Sequence, residues 1–235
     1  MIKAVLFDFG QTLVDSSRGF RAAENEAQRK LHAILQGVEW EAFIQRYRIT
    51  RKAFQDRSEF SRLALWQAVI DHWQGKSDSA ALKSWEQAYW STVRDHTMVF
   101  PEAESVLQEL RTSYRIGLIT NTQGQTHESR HRSADFPQLA GMFEVVVVAG
   151  EGGIAAKPDS QPFETCLERL RLSASEAVYV GDDYRIDVCG AAAIGMHPVW
   201  LKHRNVERNW PSVKTTVPVI QSLSDLLPLT QLFPA

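Results

Sequence analysis

Short apolar runs, each closed by a polar residue or a glycine, recur along this chain at 3–9, 115–120, 143–149, 177–181 and 197–201, with a shorter sixth at 217–220. Their length and their content of Val, Ile, Leu and Tyr are those of buried strands. Between them lie helical patterns at 102–112, 161–172 and 185–194. Pro101 suits the first turn of a helix, and Gly195 suits a helix stop. Strands that alternate with helices join in parallel through crossovers. The pattern therefore predicts a parallel sheet covered by helices on both faces. In such a sheet the strand carboxyl ends share one edge, and ligands bind along it.

The stretch from about residue 15 to 95 breaks this rhythm. It contains no convincing strand, and 17–35, 40–53, 58–73 and 79–94 read as amphipathic helices separated by turns at Gly37 and at Gly75-Lys76-Ser77-Asp78. Five of the seven tryptophans, Trp40, Trp66, Trp73, Trp85 and Trp90, fall here. They are expected to pack within a four-helix insertion, with one or two available to shape a crevice. The expected division is a core of 1–14 and 96–235 and an inserted helical domain of 15–95.

Composition sets the outer limits. A chain of 235 residues with a formal net charge of −2 offers no bulk electrostatic attraction to nucleic acid or to a membrane surface. No segment approaches the roughly 20 apolar residues of a membrane span, and the first apolar run meets Asp8 too soon to serve as a secretory signal. Two cysteines, Cys166 and Cys189, form no disulfide framework, and both lie in apolar helical patterns where buried thiols are expected. A soluble cytoplasmic protein is the expectation.

The residues that close the strands carry the chemistry. Asp8 follows the first run and precedes a sharp Gly-Gln-Thr turn, Thr120-Asn121 and Asp182-Asp183 end two later runs, and Lys157 follows a fourth. Crowded acids repel each other, and a divalent cation relieves them. Asp8 and Asp182, with backbone carbonyls, form a hard oxygen set suited to Mg2+. An anion able to meet the metal, Lys157 and the Thr120 hydroxyl is best a phosphoryl group, and Asp8 can act as nucleophile toward it.

Four motifs in order then identify the chain as similar to the haloacid dehalogenase-like (HAD) hydrolase superfamily, and in particular to a phosphatase-type member with a helical cap. Phe7-Asp8-Phe9-Gly10-Gln11-Thr12-Leu13-Val14-Asp15-Ser16 resembles the first motif, Ile119-Thr120-Asn121 the second and Lys157-Pro158-Asp159 the third. The fourth and most distinctive match is Val180-Gly181-Asp182-Asp183-Tyr184-Arg185-Ile186-Asp187-Val188-Cys189-Gly190-Ala191. The resemblance implies a three-layer Rossmann-like parallel α/β core with an inserted all-helical cap that closes over the site. It implies a Mg2+-dependent phosphatase of a small phosphorylated metabolite. Asp8 would be nucleophile and metal ligand, and Gly10 would lend its carbonyl to the metal. Thr120 and the Asn121 amide would bind phosphoryl oxygens, and Lys157 would neutralise charge. Asp182 would hold the metal, supported by Asp187 and Asp183.

One position departs from the pattern. Phosphatases of this kind usually carry an aspartate two residues after the nucleophile, as acid and base, and this chain has Gly10 there. General acid–base catalysis contributes typically ~10²–10⁴-fold. Three readings stay open: a phosphatase whose proton comes from another group or water, Asp183 and a cap residue being conceivable; a 2-haloacid dehalogenase-like hydrolase; and a weakly active or non-catalytic binding or regulatory module.

Weaker signals read as structure. His127 and His131 have a metal-ligand spacing without a third ligand, and Arg130-His131-Arg132 is a short basic cluster; both fit a solvated face. Asp15 suits a hinge or helix cap, Asp159 or Ser160 the cap of the following helix, and Arg18 and Arg21 an exposed face. Gly150, Gly152 and Gly153 form a loop without a nucleotide fingerprint.

Overall fold

A computed structural model describes residues 1–122, 124, 132–206 and 209–230. In chain order the elements are β1 (Ala4–Phe7), β2 (Val14–Asp15), α1 (Ser17–Ala33), α2 (Trp40–Asp56), α3 (Arg62–His72), α4 (Ser79–Asp95), β3 (Met98–Val99), α5 (Ala103–Leu110), β4 (Arg115–Asn121), β5 (Val145–Ala149), α6 (Ser160–Leu170), β6 (Ala177–Gly181), a π-helix (Tyr184–Val188), α7 (Cys189–Ala193), β7 (His197–Leu201), β8 (Val219–Ile220) and α8 (Leu226–Thr230). The chain divides into two compact units. One holds 1–15, 98–121 and the described residues from 132 onward. The other holds 16–97 together with Thr122 and Gly124.

The first unit is built on a six-stranded parallel sheet in the order β5-β4-β1-β6-β7-β8. This is the expected Rossmann-like sheet. All four residues of β1 are fully buried, and they alternate between two cores. Val5 and Phe7 join Leu107 of α5 on one face, while Ala4 and Leu6 join Phe163, Cys166 and Leu170 of α6 on the other. This two-sided burial is why the strands read as continuous apolar runs. From β1 the chain winds one way through β4 and β5, then returns to lay β6 on the opposite side of β1. The crevice at the carboxyl ends of β4, β1 and β6 is thus the reversal point where such sheets bind ligands. Phe7 pairs with Leu118 on β4 and Val180 on β6, which sets the level at which Asp8, Thr120 and Asp182 emerge.

The second unit is the four-helix insertion. Gly19 on α1 lies so near α4 that a Cβ there would sit 2.5 Å from the Val93 carbonyl oxygen, so the two backbones touch. Trp66 and Trp90 are buried in its core, Trp73 and Trp85 pack partly against it, and Trp40 is 40% exposed. α3 starts at Arg62 rather than 58, because Ser58 adopts a positive φ of 55° and Ser61 caps the helix by accepting from Ala64 N–H.

Further expectations need correction. The single helix at 185–194 is a π-helix followed by a short α7. Cys189 is exposed on α7, whereas Cys166 is buried as expected. The two-residue strands β2 and β3, which pair Val14 with Val99 and Asp15 with Met98, are too short to show a period and did not register in the sequence. Asp159 does cap α6, accepting from Gln161 N–H at 2.9 Å, and Arg18 and Arg21 are exposed. His127, Arg130 and His131 lie outside the described residues. Arg132 is buried rather than on the expected solvated face, its guanidinium 5.6 Å from the Phe9 ring. Among the described residues no helix is long and apolar enough to cross a membrane.

Candidate active site

Lys157 organises the site. It is 1% exposed, a burial lysine tolerates only when paired. Its Nζ donates to Asp8 Oδ1 at 2.8 Å, Asp187 Oδ1 at 2.7 Å, the Ile119 carbonyl at 2.9 Å and the Tyr179 hydroxyl at 2.8 Å. Burial alone would push the ammonium's pKa down, but Asp187 and Asp8 outweigh it and hold it at about 12. Its backbone is clamped by Asn121, whose carboxamide accepts from Lys157 N–H at 2.8 Å and donates to the Lys157 carbonyl at 3.1 Å. The Asn121 side chain therefore holds the Lys157 loop, and the Lys157-Pro158 bond within it is cis.

Asp8 is 8% exposed. Its N–H donates to the Val180 carbonyl, which extends the β1–β6 ladder by one step and fixes the start of its side chain. Lys157 holds Oδ1, and among the described residues Oδ2 has a 3.4 Å contact from the Thr12 hydroxyl. The turn beyond it needs Gln11 at a φ of 60°. Gly10 takes no such conformation, and among the described residues beyond its chain neighbours a Cβ on it would meet nothing within 4 Å. Thr120 is buried, and its hydroxyl makes only a long 3.5 Å contact to the Asn121 carbonyl among the described residues.

The fourth segment is shaped by Asp187. The Asp187 and Val188 N–H groups both donate to the Asp183 carbonyl, and the second of these bonds closes the wider π turn. Asp183 caps that turn by accepting from Arg185 N–H and Ile186 N–H. Asp187 then folds back over the end of β6, where a Cβ on Gly181 would lie 2.4 Å from the Asp187 side chain. Only a glycine fits there. Asp187 Oδ1 takes Lys157 and Oδ2 accepts from Asp183 N–H at 2.9 Å, so both its oxygens are engaged within the protein. Burial raises its carboxyl to about 6 against the pull of Lys157. Asp182 is buried beside it, its carbonyl accepting from Trp200 Nε1 at 3.0 Å.

Asp8, Asp182 and Asp187 offer oxygens within 4.8 Å of one another, a buried cluster that could bind a metal ion. Three carboxylates against one ammonium leave two formal negative charges, the deficit that one divalent cation meets. Asp187 is engaged by Lys157 and Asp183, and a Mg2+ ion rarely needs more than one or two carboxylates.

Tyr179 is a partner that sequence reasoning missed. Its hydroxyl accepts from Lys157 and donates to the Ile119 carbonyl at 2.8 Å. Burial first, then Asp187 and Asp8, push its pKa well above the usual phenol value. The signal was a tyrosine in an otherwise aliphatic, fully buried strand, where a hydroxyl needs a partner.

A family model described as haloacid dehalogenase-like hydrolase matches residues 2–195. The N-acylneuraminate-9-phosphatase of Mus musculus is 25% identical over 210 residues, 85% of this chain and 82% of its own length. The phosphoglycolate phosphatase of Shigella boydii is 27% identical over 241 residues, 97% of this chain and 92% of its own. Among solved structures, a 2-haloacid dehalogenase from Pseudomonas syringae superposes with a TM-score of 0.69 at 27% identity, covering 98% of this chain and 99% of that one.

Proposed function

The chain belongs to the haloacid dehalogenase-like hydrolase family, and from that premise we propose that it is a Mg2+-dependent phosphatase of a small phosphorylated metabolite, working through an aspartyl phosphate on Asp8. A phosphatase-type hydrolase agrees with the activities named for its relatives. The observation that carries the finer reading is the buried Lys157 ammonium shared by Asp8 and Asp187, with Asp182 beside them.

Lys157 fixes one Asp8 oxygen and leaves Oδ2 as the nucleophile. Oδ2 bonds to phosphorus as the bond from phosphorus to the ester oxygen breaks. Lys157 neutralises charge on the transferring group, and the Thr120 hydroxyl and the Asn121 main-chain amide bind its oxygens. Mg2+, held by Asp8, the Gly10 carbonyl and Asp182, would supply further charge neutralisation. Asp187 and Asp183 support that set from behind. Water then attacks phosphorus, the bond to Asp8 breaks, and orthophosphate leaves with Asp8 restored. Gly10 has no proton to give the leaving oxygen, so solvent supplies it. We also infer that 15–95 serves as a substrate-selecting cap to a core of 1–14 and 96–235, its hinges at the connections near Asp15 and Asp95.

A panel of phosphate esters of graded leaving-group pKa, with and without Mg2+, tests the reading. Turnover should require Mg2+, fall steeply from aryl to alkyl esters, and vanish in Asp8→Asn. Equal rates on both ester types would reveal a substitute acid. The likeness to a solved 2-haloacid dehalogenase favours a second reading. Halide release from a 2-haloacid without Mg2+ would establish it in place of the first. Absence of both turnover and Mg2+ binding would leave a non-catalytic module.

A further inference from the structure

Tyr179 is a fully buried titratable group to which the chemistry at Asp8 assigns no step. It sits on β6 with its backbone between Leu6 of β1 and Pro198 of β7, and its ring packs edge-on to the buried Phe163 ring at 5.1 Å. The ring is therefore fixed, and its hydroxyl with it. With no exposed surface, that hydroxyl meets no substrate. It touches Lys157 Nζ at 2.8 Å, the Ile119 carbonyl at 2.8 Å and, more loosely, Asp187 Oδ1 at 3.3 Å. Burial and the nearby Asp187 and Asp8 carboxylates hold its pKa well above the usual phenol value, so it keeps its proton.

Its place answers a geometric conflict at Lys157. Among the described residues four oxygens lie within 2.9 Å of Nζ: Asp8 Oδ1 and the Tyr179 hydroxyl at 2.8 Å, Asp187 Oδ1 at 2.7 Å and the Ile119 carbonyl at 2.9 Å. An ammonium has three protons. The two carboxylates are the stronger acceptors and take one each. The third proton faces both Tyr179 and Ile119. Nζ and these two oxygens form a triangle with sides of 2.8, 2.9 and 2.8 Å, so the oxygens subtend about 60° at the nitrogen. A proton shared between them would leave both bonds bent below the preferred range. Turning it fully from one oxygen to the other swings the whole tripod of N–H bonds, and the two aimed at the carboxylates move with it. The Tyr179 hydroxyl settles the choice, because it gives its own proton to the Ile119 carbonyl and turns a lone pair to Lys157.

We propose that Tyr179 is a positioning residue for the reaction at Asp8: by occupying the Ile119 carbonyl it aims one N–H of Lys157 at Asp8 Oδ1, and so keeps Oδ2 as the attacking oxygen. Its consequence for catalysis rests on the reading of Asp8 as nucleophile, whereas the hydrogen-bond directions stand on the geometry alone. With phenylalanine at this position the packing on Phe163 stays, and Lys157 finds its third acceptor in the Ile119 carbonyl, so no charge is stranded. What is lost is the aim: the tripod turns toward Ile119, and the bond to Asp8 bends. The groups assigned to the phosphoryl oxygens, Thr120 and the Asn121 amide, are left as they were.

Two measurements test it. Neutron diffraction from native crystals exchanged into D2O should show the Tyr179 O–D directed at the Ile119 oxygen, and the three N–D bonds of Lys157 directed at Asp8, Asp187 and Tyr179. Rapid quenching with p-nitrophenyl phosphate in Mg2+ should show Tyr179→Phe forming the aspartyl phosphate about tenfold more slowly than the native chain, the loss expected for one misdirected hydrogen bond to a charged group. KM in steady-state turnover should not change. A Lys157 N–D on Ile119 in the native chain, or the Tyr179 O–D on Asp187, would overturn the proposal. So would a Tyr179→Phe rate within about twofold of native, or a KM that rises while the rate holds. If Tyr179→Phe does not fold, the deuterium positions decide. A native chain with the expected deuterium positions and no aspartyl phosphate would refute the reading at Asp8 and the positioning role with it, an outcome distinct from all the others.

Discussion

Replacing Lys157 by Met tests whether the site is held together by one buried cation. Methionine keeps the side chain's length and apolar stem but removes the ammonium. Two carboxylates then lose their ion pairs, at 2.8 Å to Asp8 and 2.7 Å to Asp187, with side-chain exposures of 11% and 2%. The Ile119 carbonyl keeps Tyr179 as a donor, so its loss is small. Removing one partner of a buried pair costs about 3–5 kcal/mol, mostly because the remaining charge is stranded. Asp187 is the stranded group here, since Asp8 is nearer to solvent. Urea unfolding followed by circular dichroism in EDTA should therefore show Lys157→Met destabilised by about 3–5 kcal/mol. The double variant Lys157→Met/Asp187→Asn should recover part of that loss, because the charge that paid the penalty is gone. A single-variant loss below about 1 kcal/mol, or a double variant no more stable than the single, would refute the reasoning.

Gly10→Asp should raise kcat/KM on alkyl phosphates by about 10²-fold, the lower end of general-acid effects for an unrefined position, with little change on aryl esters. The structure leaves room for it, with nothing within 4 Å of the new Cβ among the described residues beyond its chain neighbours and no positive φ to strain it; a fall on both ester types would contradict this. Burial pushes the Glu102 carboxyl up, but hydrogen bonds from Ser222 and His203 prevail and hold it below its ordinary value. A depressed folded pKa gives stability at pH above the unfolded value of about 4.3 that is lost as pH falls through the folded one. The Tm gap between the native chain and Glu102→Gln should therefore narrow from pH 7 to pH 3, and a constant gap would contradict the assignment.

The sheet was legible because its strands are buried on both faces, so β1, β4 and β6 read as unbroken apolar runs. The positions of Asp8, Thr120 and Asp182 followed from the common direction of those strands. What the sequence could not show is what depends on distant partners. Tyr179 looks like any strand aromatic, and its hydroxyl gains meaning only from Lys157, 22 residues away, and Ile119, 60 away. His203 is likewise explained by Glu102, 101 residues distant, and by the Phe100 ring stacked on it. The π turn was hidden for another reason. Residues 185–194 carry an ordinary helical apolar spacing, and the extra residue in the turn is needed to bring Asp187 over Gly181, a requirement of the site rather than of the helix. Asn121 shows how one residue type serves two ends: the strand-end position was plain, but its carboxamide turns to the Lys157 backbone.

The covalent step on Asp8 is the centre of the account, and rapid quenching of the native chain with an aryl phosphate in Mg2+, followed by borohydride reduction and peptide mass spectrometry, reads it directly. The account predicts reduction of the side chain at position 8 to homoserine, dependent on substrate and unseen in Asp8→Asn. Full turnover with Asp8 unmodified at every quench time, or modification at another residue, would contradict it.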